Sequence, residues 1–309
     1  MKCKNMLLSA LLLATGLWAR PVMAEESASP KPEDAVRIVI SGDAYYTRYN
    51  LDRSRDEECG DERKGYYLML MPVEVSWKHY IREGFYVSPY TMFSVTHDFG
   101  DESWNKSYWN NNQIVSLGLR LGSEQDFTDE SGMYTGGVYG ALFAEYQFLT
   151  DSFDGSKDSV PDDISSGNFK TGASVWLAHS SDVGRGVRFW KEMWGELAYH
   201  STYFNDEDED NYLIATLLPK IGLGFDMGKV ALEPYLKVSL VNDFLGKDWN
   251  EEPWINYVQY GPGVRLSLSE LLPGSFYVYA EYFRVDYLDE SSDVSEDVRY
   301  GLAFWVPIL

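Results

Sequence analysis

Alternation with a period of two runs through the chain from Val36 onward. Val115, Leu117, Leu119 and Leu121 are all apolar, and Ser116, Gly118 and Arg120 fall between them. The same pattern returns further on. Val258, Tyr260, Pro262, Val264 and Leu266 form one row, and Gln259, Gly261, Gly263, Arg265 and Ser267 form the other. The final segment carries a third such row, Val298, Tyr300, Leu302, Phe304, Val306 and Ile308. Side chains of a strand point alternately to its two faces, so each row marks a strand with one apolar face. The pattern predicts twelve strands, at 36–49, 66–79, 85–97, 111–122, 133–150, 169–180, 187–204, 212–227, 230–244, 254–269, 275–288 and 298–309. Each is long enough to cross a bilayer when tilted.

The connections alternate as well. Long, charged segments follow the odd strands, at 50–65, 98–110, 151–168, 205–211, 245–253 and 289–297. Mostly short turns follow the even ones, such as 80–84, 228–229 and 271–274. Barrels of the outer membrane place long loops outside the cell and short turns in the periplasm. The prediction is therefore an all-β fold, an antiparallel transmembrane β-barrel of about 12 strands. A soluble sandwich would vary its loop lengths without this rule, and it would leave the apolar rows in water.

The chain also repeats itself. Aligned without a gap at an offset of 145, residues 89–121 and 234–266 are identical at twelve of 33 positions, where roughly two matches are expected by chance. They include Tyr90/Tyr235, Asp98/Asp243, Asn111/Asn256, Gly118/Gly263 and Arg120/Arg265. Ala144-Glu145-Tyr146 returns as Ala280-Glu281-Tyr282, and Ala44-Tyr45 with Tyr49 as Ala198-Tyr199 with Tyr203. Lys170, Gly172 and Trp176 match Arg299, Gly301 and Trp305. The barrel is thus expected to be a duplicated six-strand unit, with half-repeats of about 36–180 and 187–309.

Residues 1–24 stand apart. Lys2 and Lys4, the apolar run 6–18 and Val22-Met23-Ala24 form a secretory signal peptide, too short in its apolar core to anchor a membrane. Residues 25–309 then form a single barrel domain. The formal charge is −22, and −25 once Lys2, Lys4 and Arg20 are removed. Acidity excludes nucleic acid as a partner. Ten Trp, 23 Tyr and 15 Phe suit the aromatic girdles of a membrane barrel. With Cys3 in the leader, Cys59 has no disulfide partner within the chain.

The candidate chemistry lies on the inward face. Arg120 and Arg265, six strands apart in a ring of twelve, are expected to face each other across the lumen as a constriction. Glu145 beside Lys170, and Glu281 beside Arg299, are expected as two cross-strand ion pairs. The Arg pair has no acidic neighbour within its own strands. Salt bridges that merely fill a narrow barrel are the competing reading of these charges. Trp104, Trp109, Trp249 and Trp254 lie at loop bases beside amides, where rings stack on saccharides, although girdles are the commoner use of Trp. His179 with Ser181, and His97-Asp98, are poor catalysts, since the first sits at the periplasmic end and the second pair points to opposite faces. No metal spacing or cofactor motif occurs, so no metal site and no cofactor are expected.

With its leader, even strand number, alternating faces and unequal connections, the chain resembles a Gram-negative outer-membrane β-barrel protein. Its Trp-Asn…Gly-x-Arg-Leu segments are similar to those of barrels in exopolysaccharide-secretion systems, a likeness that transfers no residue's role. The resemblance implies the outer membrane, reached through the periplasm. It also implies contact with outer-membrane lipid and lipopolysaccharide, and with saccharide or periplasmic export machinery as further partners. The expected function is a channel or export pore for ions, small solutes or an extended polysaccharide. The alternative is a closed barrel serving as surface receptor, adhesin or assembly partner.

Overall fold

The computed structural model describes residues 34–47, 66–100, 106–130, 134–162, 164–204, 211–245, 256–268, 274–288 and 295–309. The expected signal peptide at 1–24 and Cys59 lie outside them. Twelve strands follow in chain order: β1 (Ala35–Thr47), β2 (Tyr66–Arg82), β3 (Phe85–Asp98), β4 (Asn112–Thr128), β5 (Tyr134–Asp151), β6 (Gly167–Gly184), β7 (Val187–His200), β8 (Tyr212–Asp226), β9 (Ala231–Asp243), β10 (Asn256–Ser267), β11 (Ser275–Tyr287) and β12 (Ser295–Pro307). Each pairs antiparallel with its sequence neighbours, and β1 pairs with β12 from Val39↔Pro307 to Thr47↔Arg299. Closure leaves no unpaired sheet edge, which is the condition for a β-structure to sit in lipid.

The apolar rows face outward. Leu117, Leu119, Leu121, Leu142, Leu236 and Val278 stay about half exposed around the ring, and such a belt is stable against hydrocarbon rather than water. Charges on the outer face flank it: Lys191 lies near the short-turn end, and Arg284 with Asp286 near the long-loop end. The protein is a transmembrane barrel of the outer-membrane type.

The turns behave as their residues require. Arg185-Gly186 joins β6 to β7 with φ of 60° and 73°, the doubly left-handed turn whose twist matches a two-residue hairpin. Several strand ends depart from the alternation pattern, β2 running on to Arg82 and β6 to Gly184 among them, and two have a clear cause. β4 continues to Thr128 because Glu124 and Asp126, which read as turn residues, extend the inward row and bond Lys78, Tyr80 and Tyr139. β7 stops at His200 because Tyr203 and Phe204 take left-handed φ of 53° and 60° and fold over the strand ends. The register also corrects one expected echo. Thr47 and His200 occupy matching places, opposite Arg299 and Lys170. Ala44-Tyr45 and Ala198-Tyr199 are therefore out of step by one residue and lie on opposite faces, and Tyr46 is the true counterpart of Tyr199.

Candidate lumenal site

The sequence identities correspond to one arrangement built twice. Tyr90, Gly118 and Glu145 lie side by side on β3, β4 and β5, as Tyr235, Gly263 and Glu281 do on β9, β10 and β11. Each Tyr ring lies flat across the glycine between. A Cβ on Gly118 would sit 2.4 Å from the Tyr90 ring, and one on Gly263 2.5 Å from that of Tyr235. The phenol thereby reaches two strands over. Tyr90 donates to Glu145 and Tyr235 donates to Glu281 at 2.7 Å. At the long-loop end a second pair of identities forms a clamp. The Asn111 and Asn256 carboxamide oxygens accept the backbone N–H of Asp98 (3.0 Å) and Asp243 (3.2 Å).

Arg120 and Arg265 do point inward from β4 and β10, but neither is unpaired. Arg120 Nη1 donates to Glu74 of β2 at 2.7 Å, and its guanidinium lies 3.8 Å from the Tyr90 ring centre. Arg265 donates through Nε to Glu233 of β9, and its Nη1 lies 3.4 Å from Glu192 of β7. Glu233 lies directly opposite Arg265 on the adjacent strand, whereas Glu74 and Glu192 come from strands two and three places away, a distance that alternation within one strand does not reveal. Glu192 also takes Lys220 (2.9 Å), and Glu233 takes Arg188 (2.7 Å), so the Arg265 side is a connected network of charges.

The two expected cross-strand pairs do not form, although the register is as anticipated: Glu145 is opposite Lys170, and Glu281 opposite Arg299. Lys170 turns to Glu196 on β7 at 2.8 Å, leaving Glu145 to Tyr90 and the Gln147 amide (2.7 Å). Glu281 pairs with Lys237 of β9 at 2.8 Å. Arg299 instead stacks on Tyr45, 4.5 Å from its centroid, and on Phe283 at 5.3 Å. The Tyr–Gly–Glu rows cause this. The glutamate is already held from one side, so the cation opposite it takes another partner.

The interior is unevenly filled. On the β7–β11 side Trp190, Tyr235, Tyr279 and Phe283 are each no more than 6% exposed. At the mouth above them Tyr203 packs on His200 (4.5 Å) and Tyr212 (5.6 Å). On the other side two cavities of about 310 and 340 Å³ meet at Arg120, Tyr86, Met92 and Tyr139. The first reaches Arg37 and Lys78 near the short-turn end. The second climbs past Trp176 and Trp194 to Lys170 and Glu196. Matching positions explain the difference. Where the filled side has Glu233, Lys237 and Tyr277, the open side has Ser88, Met92 and Ala141.

Of the loop candidates, Trp109 packs on Tyr108 at 4.8 Å in the short 3-10 turn after β3. Trp104, Trp249 and Trp254 lie outside the described residues. The β5–β6 loop leans outward, with Phe153 against Phe93 of the lipid face, and Lys157 Nζ bonds the Gly100 carbonyl at 2.6 Å. There the Ser156 backbone N–H, 2.9 Å away, holds the Asp154 carboxyl below the usual carboxylate range. His179 sits on the lipid face beside Phe127. The His97 ring meets Phe99, while Asp98 is buried on the inner side. Alternation did not single out Arg37, Lys78, Glu74, Glu233 or Trp194. The doubled Tyr90/Tyr235, Gly118/Gly263, Glu145/Glu281 and Asn111/Asn256 did carry a signal for the interior bonds.

No protein-family model matches the sequence, and no curated protein matches it. Among solved structures the chain is similar to the COG4313 outer membrane channel from Pseudomonas putida F1, at 9% identity over 91% of this chain and 97% of that one, with a TM-score of 0.41. It is similar to the outer membrane channel DcaP of Acinetobacter baumannii at 10% identity, over 89% and 97%, with a TM-score of 0.37. The beta domain of the Bordetella autotransporter BrkA matches at 11% identity, over 88% and 99%, with a TM-score of 0.36.

Proposed function

We propose that this protein is a narrow outer-membrane pore whose open path runs along one wall of the barrel, from β1 to β7. The observation that carries the reading is the meeting of two cavities at Arg120, while the opposite wall packs Trp190, Tyr235, Tyr279 and Phe283 inward. Twelve strands enclose less than the water-filled sixteen-strand porins do, and filling half of that ring leaves room for ions and small solutes. The outward lean of the β5–β6 loop supports the same reading, because it keeps that loop out of the lumen. Arg120 stands at the narrowing as a cation already neutralised by Glu74. It shapes the passage and contributes little net field. Arg265 belongs to the filled wall.

The interlocked charges around Arg265 favour a second reading, a closed barrel acting as a surface receptor or assembly partner. Planar-bilayer recording of the refolded barrel separates the two. Discrete steps of small conductance are expected. A permanent seal from barrels of native heat-modifiability defeats the pore and leaves the receptor.

A further inference from the structure

The cavity at the short-turn end has an unmatched charge. Three cations line it: Arg37 from β1, Lys78 from β2 and Arg120 from β4. Lys78 is bonded by Glu124, and Arg120 by Glu74. Arg37 makes no hydrogen bond or ion pair with any described residue; it is exposed at the edge of the cavity, and the carboxylate whose field reaches it, Glu124, is already bonded by Lys78. Ser41, Ser76 and Ser88 line the same space, and their hydroxyls likewise bond no described residue. Five guanidinium N–H donors and three free hydroxyls around 310 Å³ form a donor-rich concavity with one positive charge in excess.

The matching place in the other half shows that this is not an inherited feature of the wall. Register sets Trp190 where Arg37 stands, and Gly222 and Gly224 where Ser76 and Lys78 stand. Trp190 lies over Gly222, where a Cβ would come within 2.7 Å of the indole. Arg188 covers Gly224 at 2.6 Å in the same sense and turns its charge to Glu233. That half is packed and neutral, whereas this half is open and cationic. The Trp305 indole, 43% exposed, forms one side of the cavity, and Tyr139 adds a second ring.

We infer that this cavity is a binding site for a small anionic solute, its carboxylate or phosphate held by Arg37 with the three serine hydroxyls. Planar donors match both oxyanions bidentately, and a cation with no carboxylate bonded to it gives up hydration but no ion pair in accepting one. The rings beside it suit the face of a sugar that carries the charge. As a stage in transit the site rests on the pore reading, but occupancy of the cavity does not require conduction.

Isothermal titration of the detergent-refolded barrel at low salt tests the site, with glucuronate, inorganic phosphate and glucose as probes. Glucuronate and phosphate are expected to bind and glucose not to bind. Arg37→Ala, which breaks no internal bond, is expected to weaken both anions about tenfold or more, and Arg37→Lys to keep most of the affinity. Raising the salt is expected to weaken binding in the same order. Affinity unchanged in Arg37→Ala, or glucose binding as well as glucuronate, overturns the site. Bilayer recording of the same preparation keeps the two failures apart. A silent barrel that still binds anions defeats the pore alone, and a conducting barrel that binds none defeats the site alone.

Discussion

Each arginine that the sequence singles out is an organiser of carboxylates, and the two do unequal work. Arg265 is 15% exposed and serves Glu233 and Glu192, themselves linked to Arg188 and Lys220. Removing it leaves Glu233 to Arg188 and Glu192 to Lys220, with one negative charge in excess in a packed wall, at a cost of about 3 kcal/mol, the low end for breaking a buried pair. Arg120, at 29%, borders a cavity and serves Glu74 alone. Water then replaces much of what is lost, and the cost falls to about 1 kcal/mol. Urea unfolding of the refolded variants is expected to rank Arg265→Ala well below Arg120→Ala, with Glu233→Gln recovering part of the Arg265→Ala loss. Equal losses would mean that both sit in one kind of environment. Gly263→Ala tests the neighbouring row in the same assay. A Cβ 2.5 Å from the Tyr235 ring forces that ring off Glu281, at a cost of about 1–3 kcal/mol for overpacking.

At the level of elements, the outward face follows a simple rule that is open to direct test. Leu119, 52% exposed on β4, lies among the outward leucines of the belt. Leu119→Arg is expected to destabilise the inserted barrel by about 2–4 kcal/mol, while Gln113→Arg, at the rim of the same strand, costs about 1 kcal/mol or less. Reversible unfolding from lipid vesicles reads both. This period-two row is why strand number, order and facing were legible in the sequence: in a closed barrel each strand needs only its own alternation and its neighbours. Errors gathered where that rule lapses. Glu124 and Asp126 look like turn residues yet belong to β4, because inward positions of a barrel accept charge. Tyr203 and Phe204 look like strand yet fold over the mouth. Partners of the inward charges were illegible for a related reason. Arg120 to Glu74 and Arg265 to Glu192 skip strands, so no local pattern encodes them. The doubled Tyr, Gly and Glu were visible as identities, and their shared bond needed the register.

For the whole molecule, the decisive property is that one ring of twelve strands carries two differently filled walls. The backbone is regular around the ring, so the difference resides in a few inward side chains: Ser88, Met92 and Ala141 on one side against Glu233, Lys237 and Tyr277 on the other. If size at these positions sets the free path, exchanging them transfers it. Ala141→Tyr together with Arg37→Trp places on the open wall the bulk that Tyr277 and Trp190 supply opposite, and is expected to abolish conductance. Arg37→Trp crowds Ser76 where the other half has Gly222, so Ser76→Gly belongs in the same variant. A control with Tyr277→Ala alone removes bulk from the filled wall, where neighbouring Lys220, Arg265 and Trp190 still close the space, and is expected to change conductance little. Heat-modifiability on gels establishes that each variant is a closed barrel before it is recorded. Conductance that persists through the filled variant would move the path to the other wall. A large gain from Tyr277→Ala would show that the two halves share the lumen evenly.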